Sequence, residues 1–406
     1  ESSLLRHSLS GCWRVGCFMV SSGMKSGKFT VSAYFGTALC LFLLSFVIGW
    51  SSKWTNNLFY GLMVLPGLVF LIKERGAGLF NQPLALGWMA FILWFLVPAT
   101  IAGELQFFKH IFYVMMFIMV VSAFSDPQFF RSPGFVRAQF WVLALYIFCC
   151  ALYSWVTGEY AVGTRVALLP SRLQNVIYAS VWLLCSLALA LPFWFRTRRW
   201  VEAGLAIVLS IFAVVFVLQT RTALVGVAFL MGIWLLYGLY HRPRLVGSAV
   251  VITLVVLGVL YAVVHNEAWY QSLWTRGDSY RIEIFNIMVG EWHNCGWLLG
   301  CGIDFHTAQV LDGWMPIQHP HNIFVALGLY TGAVGLVLFI GLMLATLWQA
   351  WRLRDIWGMY LACALVMLNF DGSLLIGNPD ELWPLVLLPA AMVLGRALNA
   401  QRATQA

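Results

Sequence analysis

Long apolar runs separated by short polar breaks occupy most of the 406-residue chain. A membrane-spanning helix needs about 20 predominantly apolar residues, whereas the strands of a barrel are shorter and alternate in polarity. The runs here are long and continuous, at approximately 29–50, 57–72, 84–102, 106–124, 137–157, 173–195, 201–219, 222–240, 245–264, 320–350, 356–374 and 381–398. The pattern therefore predicts an all-α polytopic membrane protein with about 12 transmembrane helices.

One long polar stretch interrupts this pattern between the ninth and tenth runs. It divides the chain into an N-terminal segment, nine helices, a loop, three helices and a tail, which we place at 1–28, 29–264, 265–319, 320–398 and 399–406. The run at 320–350 is longer than one membrane crossing needs. We expect it to tilt, to protrude or to break near Gly332.

The polar stretch contains a helical pattern of its own. Apolar residues recur there at helical spacing, at Tyr280, Ile284, Ile287 and Met288. They follow an Asp-Ser pair at 278–279, and both residue types are favoured at a helix N-cap. The sequence predicts an amphipathic helix over 279–293 with Arg281 in its first turn.

The composition agrees with a membrane protein and limits the class of function. The chain is 61% hydrophobic and 10% charged, against about 45–50% and about 25% in soluble domains. A formal net charge of +8 could indicate a nucleic-acid partner in a soluble protein. Here the membrane topology explains the charge, so we expect membrane lipids as partners and no nucleic acid.

The basic residues divide unevenly between the two sides of the predicted membrane. Of the 24 lysines and arginines, most fall on the side of both termini, and the other side holds Lys53, Lys109, Arg165, Arg172, Arg221, Arg276 and Arg281. The positive-inside rule therefore places both termini in the cytoplasm and the 265–319 loop outside, in the periplasm of an inner membrane. The polar, mixed residues 1–28 do not resemble a cleavable signal peptide, so we expect none.

The arginines on the outer side are candidates for binding an anion, because they oppose the topological bias. The planar guanidinium group binds phosphate oxygens through two parallel hydrogen bonds. Arg221 lies in a turn almost too short to be a loop, so it points into a polar cavity or towards the membrane interface. The candidates are Arg165, Arg172, Arg221, Arg276 and Arg281.

Two histidines stand directly before the tenth run, in His319-Pro320-His321-Asn322. Proline suits the first turn of a helix, which predicts that His321 lies in that turn. The helix dipole disfavours the charged imidazolium there, so a neutral His321 can act as a general base. The alternative is a capping or interfacial histidine. Residues two apart at a helix start do not share a face, so we expect His319 to have a different role.

The same stretch contains residue types that could form a metal site or a disulfide. His293 and His306 share the loop with the two histidines, but the spacings match no usual zinc pattern. The chain also has no Asp-x-Asp pair of the kind that holds Mg²⁺ beside a diphosphate, and we predict no metal ion and no cofactor. Cys295 and Cys301 can form a disulfide if the loop faces an oxidising compartment.

The spacing of these residues resembles a known family. His321-Asn322, nine further residues and Gly332 resemble the His-(Asn/Ser/Gln)-nine residues-Gly motif of the O-antigen ligase and polymerase superfamily. Thr220-Arg221 before an apolar run resembles its Ser-Arg signature, and the segment 280–302 is similar to its large periplasmic loop. The histidine at position 319 departs from the motif and leaves two imidazoles as candidates for the base.

The resemblance implies a GT-C-like glycosyltransferase that is metal-independent and inverting. Its donor would be an O-antigen linked to undecaprenyl diphosphate, and its acceptor a sugar hydroxyl of lipid A–core. By this resemblance His321 is the base and Arg221 and Arg281 hold the diphosphate, with His319 and Asn322 as secondary residues. Arg165, Arg172 and Arg276 match no motif and stay candidates for the diphosphate.

Other functions remain open on the sequence alone. An O-antigen polymerase or a protein O-oligosaccharyltransferase of the same superfamily would share the donor and differ in the acceptor. A transporter of lipid-linked sugars is a further alternative. A transporter should carry charges at the middle of the membrane and show repeated halves, and the sequence shows neither pattern.

Overall fold

A computed structural model describes residues 30–49, 51–241, 247, 258, 261–263, 265–267, 270–271, 280–312 and 314–405. Within this part of the chain, ten helices are long and apolar enough to cross a membrane. The helices, numbered in chain order, are α1 Val31–Ile48, α2 Ser52–Lys73, α3 Pro83–Ala102, α4 Leu105–Phe124, α5 Pro133–Thr157, α6 Val176–Arg196, α7 Trp200–Val217, α8 Arg221–Tyr240, α9 Arg281–Cys295, α10 Ile323–Leu353, α11 Trp357–Leu368 and α12 Trp383–Thr404. The protein is an all-α, multi-pass membrane protein, as predicted.

Two of the predicted spans are not among these ten long helices. The run at 356–374 forms α11, a helix of only 12 residues. At 1.5 Å per residue it is about 18 Å long, shorter than the hydrocarbon core of a bilayer. It is therefore not among the ten long helices, because the polar residues Asn369 and Asp371 interrupt the apolar run and the helix ends before them. The run at 245–264 lies almost entirely outside the described residues.

Short elements connect and interrupt the helices. There are 3₁₀ turns at Arg75–Asn81 and Phe129–Arg131, and π-helical turns within α2, α7 and α12 at Tyr60–Val64, Ala213–Val217 and Trp383–Leu387. Two short strands, β1 Val310–Leu311 and β2 Met315–Pro316, pair in antiparallel register with Val310 opposite Pro316. They lie in the polar stretch before α10.

Helix α6 lies at the centre of the bundle. It packs against α5, α7, α8 and α11, and its buried residues surround the helix on all sides. A helix that is apolar all round has no polar face to expose, so it occupies the interior. Helix α12 packs against α4, α10 and α11, which brings the start of α10 and the loop after α11 to the same end of the bundle.

The predicted amphipathic helix is confirmed as α9. Ile284, Met288 and Trp292 recur every four residues and are buried in one cluster with Val325 and Leu329 of α10. The helix follows Tyr280, which has a left-handed backbone and gives no side-chain cap; the Asp-Ser pair expected to cap it lies outside the described residues. Packing against α10 stabilises this helix.

Helix α10 is broken at Gly332, as one of the sequence-based expectations stated. The glycine has φ 73° and ψ 178° inside the helix. The break exposes backbone groups, and the adjacent loop satisfies them. The amide of Cys301 donates to the carbonyl of Leu329 at 2.6 Å, and the amide of Ala333 donates to the carbonyl of Trp297 at 2.7 Å. The Cys295–Cys301 disulfide, also anticipated, closes this loop.

Replacement of Gly332 by alanine should destabilise the protein. A Cβ at this position would lie 1.9 Å from the carbonyl oxygen of Leu298, and the backbone conformation is one that only glycine adopts readily. We expect the free energy of unfolding to fall by about 3 kcal/mol, measured as thermal unfolding in detergent. Gly341→Ala is the matched control, because its Cβ would meet open space in the same helix. Equal unfolding temperatures for the two variants would contradict the packing argument.

Candidate active site

The start of α10 is fixed by Asn322. Its Oδ1 accepts hydrogen bonds from the amides of Phe324 at 2.9 Å and Val325 at 3.1 Å, and its Nδ2 donates to the carbonyl of Asn369 at 2.8 Å. Asn322 is therefore the N-cap, and it ties the helix start to the loop after α11. The prediction that His321 lies in the first turn was wrong: asparagine is a preferred N-cap, so the helix begins after it and not at Pro320.

His321 precedes the cap in a left-handed backbone conformation, with φ 53°. This turn places its ring 4.0 Å from the ring of His319, measured between centroids. The two rings are thus neighbours, although residues two apart at a helix start would not share a face, because neither histidine lies in the helix. Burial, and next the nearby His321, lower the pKa of His319, while Asp371 raises it. His319 is therefore a neutral imidazole beside His321 near pH 7.

Asp371 is the site residue that the sequence analysis missed. Its Oδ1 lies 3.1 Å from Nδ1 of His321, and its Oδ2 accepts from Nη2 of Arg281 at 3.4 Å. Only 3% of its side chain is exposed. A signal was present in the sequence, because an acidic residue inside an apolar run is a candidate functional residue by default.

The contact between Asp371 and His321 sets the protonation of the imidazole. A carboxylate can only accept a hydrogen bond, so Nδ1 of His321 carries the proton and Nε2 keeps a free lone pair. The same carboxylate stabilises the imidazolium that forms when Nε2 takes up a proton. The pair can therefore act as an oriented general base.

Arg281 lies on the other side of the same carboxylate. Its Nη1 donates to Oγ1 of Thr222 at 2.7 Å. Burial lowers its pKa, Asp371 raises it, and the charge of Arg221 lowers it. A guanidinium group stays protonated in proteins despite such shifts. The structure thus brings two of the predicted arginines, from α8 and α9, within electrostatic reach of each other.

The position of Arg221 depends on a tight turn before α8. Gln219 has a positive φ of 46°, and its Nε2 donates to the carbonyl of Gly163 at 2.9 Å. The amide of Thr220 donates to the carbonyl of Val214 at 3.1 Å. Arg221 is the first residue of the helix that follows. The hydrogen bonds of this turn therefore fix the backbone position of Arg221.

A cavity of about 230 Å³ opens beside these groups. Its polar wall consists of Arg281, His321, Asn322 and Asn369, and its apolar wall of Ile282, Phe285, Pro320 and Phe370. Of the apolar residues, Ile282, Phe285 and Phe370 are exposed. The cavity can therefore accept a molecule with an anionic part and a lipid-like part.

The other predicted arginines have different surroundings. Arg172 donates from Nε to the carbonyl of Pro379 at 3.1 Å and from Nη1 to Ser52 at 3.3 Å. It interacts electrostatically with Asp380 and Glu381, and burial followed by Glu381 raises the pKa of Asp380 to about 7. Arg165 precedes Val166 in the segment between α5 and α6, and the amide of Val166 donates to the carbonyl of Val217 at the end of α7. Arg276 lies outside the described residues.

The same groups offer ligands for a cation. His319, His321 and Asp371 can each supply one ligand atom, and these atoms lie within 4.8 Å of one another. The carboxylate also contacts Arg281, which in turn interacts electrostatically with Arg221. Two guanidinium groups beside a single carboxylate oppose a divalent cation and favour an anion.

Two comparisons with known proteins cover parts of the chain, and the first of them includes Arg221, Arg281 and His321. Residues 203–340 match the family model described as O-antigen ligase, a range that contains every segment from Thr220 to Gly332 on which the resemblance rested. The chain is also 24% identical over 358 residues to a protein of Pseudomonas aeruginosa named O-antigen ligase, a similarity that covers 83% of this chain and 84% of that protein. The domain match and the similarity along most of the chain show that this protein is similar to O-antigen ligases.

Proposed function

We propose that the protein is a glycosyltransferase that transfers O-antigen from undecaprenyl diphosphate to a sugar hydroxyl of lipid A–core. The observation that carries this proposal is the carboxylate of Asp371, which contacts both His321 and Arg281. It joins a general base and an anion-binding guanidinium at one cavity. These are the two functions that a diphosphate-linked donor and a hydroxyl acceptor require.

In the proposed reaction, Nε2 of His321 removes the proton of the acceptor hydroxyl. The oxygen attacks the anomeric carbon of the donor, and the bond from that carbon to the diphosphate oxygen breaks with its electron pair. Arg221 and Arg281 stabilise the charge that develops on the leaving diphosphate. Asp371 stabilises the imidazolium. A single in-line displacement inverts the configuration at the anomeric carbon.

The surroundings of the cavity support a lipid-linked donor. Ile282 is 66% exposed, Phe285 42% and Phe370 41%, and all three line the cavity that holds Arg281 and His321. Exposed apolar side chains next to a guanidinium suit the first isoprenoid units beside a diphosphate. A nucleotide-linked sugar would have no use for them.

The side of the membrane follows from two supporting observations. The distribution of basic residues along the sequence favours cytoplasmic termini. The Cys295–Cys301 disulfide favours an oxidising compartment for the loop that packs against α10. Both support a reaction site on the periplasmic face of an inner membrane.

The acceptor distinguishes a ligase from the polymerase and the protein O-oligosaccharyltransferase, which would use the same donor. Purified protein in vesicles should be given the lipid-linked donor with lipid A–core, or the donor alone. Product linked to core supports the ligase. Growth of the glycan on its lipid carrier in both samples, without core-linked product, would indicate a polymerase.

His321→Ala should abolish most transfer without loss of donor binding. A general base contributes about 10²–10⁴-fold, so we expect the turnover number to fall by about 10³-fold. Transfer to lipid A–core and the dissociation constant of undecaprenyl diphosphate measure the two effects. His306→Ala is the control, because that histidine is exposed in the same polar stretch. Wild-type transfer by His321→Ala would reject the assigned base.

Asp371→Asn should lower turnover by about 10²-fold or more. The amide can donate to Nδ1 of His321, which moves the imidazole proton to Nε2 and removes the free lone pair. The loss of charge also weakens the contact to Arg281. Turnover of Asp371→Asn is compared with that of Asp304→Asn, an exposed residue of the polar stretch. Unchanged kinetics would show that the carboxylate does not orient the base.

Addition of EDTA should leave the initial rate of transfer unchanged. The physical reason is the excess of guanidinium charge around the only carboxylate of the His319–His321–Asp371 cluster among the described residues. Rates are measured in vesicles before and after chelation, with Mg²⁺ or Zn²⁺ added back. A loss of activity that either ion restores would assign a metal to the cluster.

A further inference from the structure

Thr222 is buried at the start of α8, directly after Arg221. Its side chain is 2% exposed, and its Oγ1 accepts a hydrogen bond of 2.7 Å from Nη1 of Arg281, a residue 59 positions later in the chain. A hydroxyl in the first turn of a helix commonly bonds its own backbone. Here it reaches across to a different helix and fixes a guanidinium group.

The geometry of α8 explains what this bond achieves. Consecutive Cα atoms are about 3.8 Å apart. The Arg281 guanidinium, which is hydrogen-bonded to Thr222, therefore lies close to the backbone of Arg221. The two like charges repel each other, which is why Arg221 opposes the protonated form of Arg281. Arginine carries several rotatable bonds and would otherwise turn away from the second charge. The threonine hydroxyl opposes that movement.

Threonine suits this task because its χ1 angle is restricted by branching at Cβ. The other contact of the guanidinium, from Nη2 to Asp371, is longer at 3.4 Å. The two contacts together fix the plane of the guanidinium, and a fixed plane is what bidentate binding of phosphate requires. Because Thr222 itself is buried, it touches the arginine and not the ligand.

We propose that Thr222 is a positioning residue for diphosphate binding, which holds Arg281 beside Arg221 so that both guanidinium groups face one anion. This inference rests on the proposed function of Arg281. It assigns to Thr222 a role in donor affinity and none in proton transfer. Thr222→Val keeps the shape of the side chain and removes the hydroxyl, whereas Thr222→Ser keeps the hydroxyl.

The test measures the dissociation constant of undecaprenyl diphosphate with detergent-solubilised protein, and KM and kcat for the lipid-linked donor in vesicles. For Thr222→Val we expect the dissociation constant and KM to rise about tenfold, equivalent to about 1.4 kcal/mol. We expect kcat within about threefold of wild type and an unchanged pH profile, because the His321–Asp371 pair stays intact. Thr222→Ser should restore the affinity to within about threefold of wild type.

Two controls separate positioning from a general structural effect. Thr346→Val removes a buried hydroxyl that bonds only the carbonyl of Leu342 within α10, and it should leave the affinity unchanged. Thr222→Val combined with Arg281→Ala should bind undecaprenyl diphosphate no more weakly than Arg281→Ala alone, because the hydroxyl acts through the arginine.

The possible outcomes have distinct meanings. If Arg281→Ala binds undecaprenyl diphosphate more weakly than wild type and Thr222→Val binds it equally well, the role of Thr222 is overturned and the proposed function stands. Additive losses in the double variant, or failure of serine to restore affinity, also overturn it. An Arg281→Ala variant that binds undecaprenyl diphosphate as wild type does would reject both the assigned diphosphate site and this inference.

Discussion

The buried carboxylate of Asp371 is the interaction on which the site depends. A carboxylate removed from water is stable only when it is paired and hydrogen-bonded. This one is paired with the guanidinium of Arg281 and the imidazole of His321. The carboxylate and its two partners come from three separate segments, which are the loop after α11, α9 and the residues before α10. The electrostatic requirement of one side chain therefore brings the three segments together.

The backbone around this carboxylate is held by a second set of contacts. Asn322 caps α10 and bonds Asn369, which fixes the helix start against the loop that carries Asp371. Further along the same helix, the loop closed by the Cys295–Cys301 disulfide packs against the break at Gly332. Its amides and carbonyls replace the missing helical hydrogen bonds. An imidazole outside a regular helix keeps one orientation only if its neighbours are fixed in this way. The glycine and the asparagine of the motif thus have structural roles beside the histidine.

The sequence predicted those features that depend on local pattern. Period and length revealed the membrane helices and α9, and the break at Gly332 followed from a run too long for one crossing. The errors arose where two local preferences competed. Pro320 and Asn322 both favour a helix start, and only the hydrogen bonds to Phe324 and Asn369 decide for the asparagine. Asp371 was hidden because apolar residues resume after it, at Leu374, and its partners are distant in sequence.

The balance of charge at the site explains why an anion is the expected ligand. The carboxylate of Asp371 contacts Arg281, and Arg221 interacts electrostatically with that arginine. Two guanidinium groups therefore outnumber the one carboxylate, and an anion close to both would reduce the repulsion between them. In the proposed reaction, the diphosphate leaves while the imidazolium of His321 still holds the acceptor's proton. Loss of this proton would then restore the proposed base, and the carboxylate of Asp371 contacts both this base and the proposed anion-binding group of Arg281.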